Sequence, residues 1–127
     1  YGPVFERPRL VGKVAGYNGG FMSLLLPRHA ADTPAQVERL PSMENSLAVK
    51  ITFPRVEDIV IWSYEHKLLE AGDVIARGSW CVVRRDRATG AVLHHALHDG
   101  NRLEVAGKSL VGTASGPCAL SIRNSDR

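Results

Sequence analysis

Cysteine is scarce in this chain: two residues, Cys81 and Cys118, among 127. They lie far apart, inside the apolar runs SWCVV and PCALSI, without the spacing of a metal-ligating pair. The pattern reads as two buried free thiols, and a disulfide between them would require an exported parent protein, periplasmic or secreted. Long apolar runs are absent too, so no segment reaches the length of a membrane-spanning helix. Neither sign of charge dominates. Sixteen Lys and Arg against thirteen Asp and Glu leave +3, and the basic residues are dispersed, which argues against a nucleic-acid partner. The chain has no Met at position 1 and no secretory leader pattern. An opening of YGPVFERP reads as an excised piece, and the expectation is a single domain, residues 1–127, taken from a larger protein.

Motifs for bound cofactors are missing. GYNGGF lacks the G-x-G-x-x-G spacing of a dinucleotide site, and AGKS at Ala106 to Ser109 has Arg102 where a phosphate loop needs glycine. Ser23 and Ser79 have no G-x-S-x-G setting. In HHALH, His94 and His98 share a strand face but stand about 13 Å apart, too far to hold one ion, and His95 points the other way. Only a helix would bring His94 and His98 together for a metal-dependent enzyme. No cofactor and no metal is called for. The acid–base candidates His29, Tyr64, Glu65 and His66 form no recognisable set, and YEHK reads as an exposed strand end.

What the chain does have is punctuation. Gly, Pro, Asn or Asp recurs about every ten residues, with short apolar runs between, the spacing of an all-β chain folded as an antiparallel β-sandwich of short strands. In LAVKITF the residues Leu47, Val49, Ile51 and Phe53 alternate with Ala48, Lys50 and Thr52. That face, with Ile59 and Ile61 of DIVIWSY, is the expected core. Val74 to Arg85 and Ala91 to Asp99 flank DRATG as a hairpin. AVLHHALHDG fits a strand or a helix, and the hairpin context favours the strand. EHKLLEAGD is long enough for one helical turn. Thr33 to Ser46 reads as a loop or a short edge strand.

Phe21 to Leu26 is an unbroken apolar run save for Ser23, stopped by Pro27. It reads as a strand buried on both faces, with Asn18-Gly19-Gly20 as the turn before it. Beside that turn, Tyr17, Asn18 and Arg28 are the residues placed to contact a sugar. Trp62 and Trp80 read as core or cross-strand packing, with sugar stacking as the alternative. Arg84, Arg85 and Arg87 read as a solvated hairpin tip, with an anion contact as the alternative.

GGFMSLLLPR, DIVIWS and VIARGSWCVVRRDRATGAVLHHALHDGNRLEVAGKSL resemble, in order and pattern, the C-terminal β-sandwich of heparinase II/III-like polysaccharide lyases of bacteria. That family pairs a strand ending in Leu-x-Pro with a variable loop. An alternating strand, a hairpin of the form A-x-V-R-R-D-x-x-G, and G-x-x-L-x-V-x-G follow. The resemblance implies a lyase that removes the C5 proton of a uronic acid, using a carboxylate neutraliser and a Tyr or His acid–base pair. It also implies an acidic polysaccharide as partner and a helical toroid upstream in the same chain. No His or Tyr here aligns with the family's catalytic motif, so no catalytic residue is carried over. The expectation is a non-catalytic C-terminal module acting on uronate-containing glycans as part of the whole enzyme. The alternative is a free-standing carbohydrate-binding or protein-interaction sandwich unrelated to lyases.

Overall fold

The computed structural model describes residues 22–43, 46–63, 65 and 68–111, with the backbone of 118–123. Its strands are β1 (Gln36–Leu40), β2 (Ser46–Thr52), β3 (Val56–Ser63), β4 (Leu68–Ala71), β5 (Val74–Arg77), β6 (Trp80–Asp86), β7 (Val92–Gly100), β8 (Arg102–Val105), β9 (Lys108–Ser109) and β10 (Cys118–Arg123). They form a six-stranded sheet, β1-β2-β3-β6-β7-β10, and a four-stranded sheet, β4-β5-β8-β9. Every described pairing is antiparallel. The fold is an antiparallel β-sandwich of short strands, and among the described residues no helix is long and apolar enough to cross a membrane.

One core lies between the sheets. The large sheet contributes Ala48, Ile59, Ile61, Cys81, Val83 and Leu97, and the small sheet Leu69, Ala71, Val74, Ala76, Leu103 and Val105. β4, β5 and β8 each place alternate residues inward, as a strand with one wet face must, while both residues of β9 are exposed.

The chain changes sheet where glycine permits it. The run expected to be one strand from Val74 to Arg85 breaks at Gly78-Ser79 into β5 of the small sheet and β6 of the large one. The return from β7 to β8 happens at Gly100-Asn101. These two crossings stand back to back. A Cβ on Gly100 would collide with the Arg77 carbonyl and come within 2.8 Å of the Gly78 Cα; one on Gly78 would lie 2.9 Å from the His98 carbonyl oxygen. The backbone bonds of the corner depend on that approach: Asn101 N–H donates to the Arg77 carbonyl at 3.1 Å, and Ser79 N–H to that of His98 at 3.0 Å.

Three sequence expectations need correction. First, β2 turns its other face to the core. The pairing sets Ala48 opposite Ile61 and Lys50 opposite Ile59, whereas Leu47 faces Trp62 and Val49 faces Val60. Ile59 and Ile61 are core residues as expected, but Leu47, Val49 and Ile51 belong to the opposite side of the sheet. Alternation marks two faces and leaves open which one meets the second sheet.

Second, Met22 to Leu26 form no strand, and Leu25 is 84% exposed. A strand buried on both faces needs a place inside a sheet, and the described edges of the large sheet are taken by β1 and β10. Phe21 and the turn at Asn18-Gly19-Gly20 lie outside the described residues. Third, the segment read as a helical turn is β4, closed onto β5 by Gly72 with φ of 60°.

The edge strand expected within Thr33 to Ser46 is β1. AVLHHALHDG forms a strand, with a bulge: Arg84 pairs with His94 and Arg85 with Val92, so Leu93 is the extra residue. The bulge gives the inward place to Val92, which packs on the core.

Candidate functional site

The rows across the large sheet fix what its outer face presents. One row runs Leu47, Trp62, Trp80, His98; the next runs Val49, Val60, Val82, Ala96; the third runs Ile51, Asp58, Arg84, His94. Ile51 and Ala96 are buried within this face, the aliphatic residues between them are half-buried, and Trp80 is exposed.

Trp80 and His98 stack across β6 and β7, with ring centroids 5.5 Å apart and planes within 5°. The Ser79 hydroxyl lies 2.9 Å from His98 Nδ1 and donates to the His98 carbonyl at 3.0 Å. A hydroxyl has one proton, so a contact with Nδ1 beside that donation has Oγ accepting from Nδ1–H. The two tryptophans are thus cross-strand packing on the outer face rather than inter-sheet core.

The arginines read as one cluster diverge in three directions. Arg84 lies on the outer face and donates two 2.7 Å bonds to the Asp58 carboxylate. That carboxylate is nearly buried, at 11% side-chain exposure, and the fork-to-fork pair supplies its counter-charge. Asp58 pushes the Arg84 guanidinium pKa further up, chiefly through that hydrogen bond.

Arg85 points inward. It bonds Asp73 of the β4–β5 turn at 2.6 Å and Glu57 at 2.9 Å, tying the small sheet to the large one. Arg87 lies in the β6–β7 turn, where its guanidinium donates to the Phe53 and Pro54 carbonyls at 2.9 and 3.1 Å. Its own N–H donates to the Arg55 carbonyl at 2.9 Å. The β2–β3 and β6–β7 turns are therefore clamped together.

Asp86 builds the second of these turns, accepting from Ala88 N–H, Thr89 N–H and the Thr89 hydroxyl. The bonds from Thr89 lower its pKa, so it stays ionised.

Between the clamped turns sits Arg55, which sequence reasoning passed over. The only signal was a Pro-Arg pair between two strands. The side chain is exposed and makes no hydrogen bond or ion pair among the described residues. Hollows of about 440 Å³ and 480 Å³ flank Pro54 and Arg55, one lined also by Phe53, Val56 and Arg84, the other by Asp86, Arg87 and Ala88. The Arg84 guanidinium carbon stands 5.9 Å from the centre of the Phe53 ring. Fixed guanidinium groups beside an aromatic and a proline ring suit an oxyanion carried on a ring.

Of the residues expected to contact sugar, Tyr17 and Asn18 lie outside the described residues. Arg28 is exposed, and its guanidinium closes a local turn by donating to the Asp32 carbonyl at 3.0 Å. The structure does not bring Arg28 into the arginine-lined tip through any described contact. Glu65 is exposed at the end of β3, its N–H donating to the Ser63 hydroxyl at 3.2 Å; Tyr64 and His66 lie outside the described residues. Among the described residues no three His, Cys, Asp or Glu side chains gather as a metal site. Cys81 is a buried free thiol whose pKa is pushed up to about 12 by desolvation, so it is a core residue and a poor nucleophile. His95 is buried at 4% exposure, and neither ring nitrogen has a hydrogen-bond partner among the described residues. Burial first, and then neighbouring His94, lowers its pKa.

Comparison with protein-family models and with curated proteins gives no match.

Proposed function

We propose that this chain is a non-catalytic C-terminal module of a heparinase II/III-like polysaccharide lyase acting on uronate-containing glycans. The observation that carries the reading is a sheet with two apolar faces. The inner face is closed by the small sheet. The outer face continues in Leu47, Val49, Val60, Trp62 and Val82, all half-buried, with Val37 and Trp80 exposed. An apolar patch of this kind, rimmed by charge, is the mark of an interaction surface. In this reading the outer face packs on the upstream helical toroid of the same parent chain. The toroid supplies the acid–base pair, and the sandwich supports it and touches the polysaccharide beside it.

The experiment is an ultraviolet assay for the unsaturated uronate made by β-elimination, with heparan, hyaluronan and alginate as substrates. The parent protein raises the absorbance on one of them, and the isolated chain raises it on none. Elimination by the isolated chain, or none by the parent, contradicts the reading.

One observation favours a second reading, a free-standing carbohydrate-binding sandwich: Trp80 is 37% exposed and stacked on His98. It requires Trp80→Ala to abolish glycan affinity in the isolated chain while leaving the fold intact.

A further inference from the structure

We infer that the hollow at the β2–β3 turn is a subsite for an acidic sugar unit, with Arg55 as its carboxylate- or sulfate-binding residue. This rests on the glycan reading above and names where the contact is made.

The choice of hollow follows from charge. Arg55 borders both hollows. One contains Asp86, whose turn keeps it ionised and repels an anion. The other is lined by Phe53, Pro54, Arg55, Val56 and Arg84. The carboxylate nearest to Arg84 there is Asp58, and both of its oxygens already accept bonds from Arg84. An incoming oxyanion therefore meets one guanidinium without a partner among the described residues, on Arg55, and the outer edge of a second, on Arg84. Arg55 is the residue free to give a two-pronged bond.

The apolar lining supplies the rest. Phe53 and Pro54 line the hollow with apolar side chains, the usual complement to a charged contact at a glycan site. The hollow is also held in shape. Arg87 fixes the Phe53 and Pro54 carbonyls, and its N–H fixes that of Arg55. Little backbone ordering remains to be done on binding. The site is shallow and open, as a surface that follows one unit of a polymer must be.

The test is calorimetric titration of this chain with hexuronate oligosaccharides, a neutral oligosaccharide of equal length, and a single-stranded oligonucleotide of equal charge. Variants are Arg55→Ala, Arg55→Lys and Arg102→Ala. The last removes one positive charge from a strand of the small sheet, where Arg102 pairs with Glu104. The expected result is binding of the acidic sugar alone, weakened on the order of tenfold or more by Arg55→Ala. Arg55→Lys recovers it in part, and Arg102→Ala leaves it unchanged.

Equal loss in Arg55→Ala and Arg102→Ala, or equal binding of the oligonucleotide, means general charge attraction and overturns the subsite. Undiminished binding in Arg55→Ala places the glycan elsewhere and overturns the subsite while the glycan reading stands. No binding of any acidic sugar overturns the subsite, and the lyase reading is then judged separately by the elimination assay on the parent protein.

Discussion

The two faces of the six-stranded sheet are both apolar, yet they have different fates. Inward, Ala48, Ile61, Cys81 and Leu97 form one row across four strands, none more than 1% exposed. Outward and one step along, Leu47, Trp62 and Trp80 form the neighbouring row, half-buried to exposed. Composition hardly separates them, since the outer row has the larger side chains. Among the described residues, what separates the two rows is the small sheet, which covers the inner one. A sheet's hydrophobic content shows how many layers it can join, and the second layer decides which face becomes core.

That comparison can be broken most strongly by placing a charge on each face. Ala48→Asp puts a carboxylate at a position with 0% exposure between the sheets. It should cost about 4 kcal/mol, with the chain unfolded or nearly so by thermal melting. Val49→Asp, its neighbour on the outer face, should cost about 1 kcal/mol in the isolated chain, because the carboxylate can reach water. Equal losses would mean that the outer face is as closed as the inner one.

The corner at Gly78 and Gly100 holds two of the chain's passages between the sheets, from β5 to β6 and from β7 to β8. Gly100→Ala should cost about 3 kcal/mol, because its Cβ meets backbone that cannot move aside. Urea denaturation measures it. A loss below about 1 kcal/mol would show the two crossings free to separate.

His95 gives a smaller, pH-dependent effect on the inner side. Its pKa lies below the ordinary 6.5 because burial disfavours the imidazolium. As pH falls through about 6.5 the unfolded chain takes up a proton that the folded chain refuses. Stability therefore declines below that pH, until the folded pKa is passed, and is unaffected by this group above it. The slope is at most about 1.4 kcal/mol for each pH unit. His95→Leu should flatten the melting temperature between pH 7 and 5 relative to the unmodified chain. An unchanged slope would assign the acid sensitivity to other groups.

Much of this fold was legible, and the failures have physical causes. The turn residues and alternating runs announced an all-β sandwich and the β6–β7 hairpin, and left Thr33 to Ser46 open between a loop and the edge strand it contains. The two faces of β2 were visible in LAVKITF, but choosing between them needed the register with β3. Ala48 is small and Lys50 is charged, so the true inner face looked like the wet one; Lys50 takes its place by pairing with Glu38 at 2.7 Å. The change of sheet at Gly78 was hidden inside VIARGSWCVV because both halves read as strand. Arg84, Arg85 and Arg87 looked alike in sequence, and only pleat and bulge sent them to three different partners. Arg55 was missed because a single unpaired guanidinium is defined by what surrounds it in space.

The central claim is that the inner face is closed within this chain, whereas the outer face is, in the proposed reading, the one that meets the rest of a parent lyase. Adjacent positions on β6 test it, since Cys81 points inward and Val82 outward. With Cys118 replaced by Ser throughout, the rate of maleimide labelling is measured for the chain carrying Val82→Cys and for the chain with Cys81 alone. Both are measured again within the full parent protein. The account predicts that Val82→Cys labels faster than Cys81 by on the order of tenfold or more in the isolated chain, because Cys81 is buried with a raised pKa. It also predicts that this advantage disappears in the parent. Labelling of Val82→Cys that stays fast in the parent protein would contradict it.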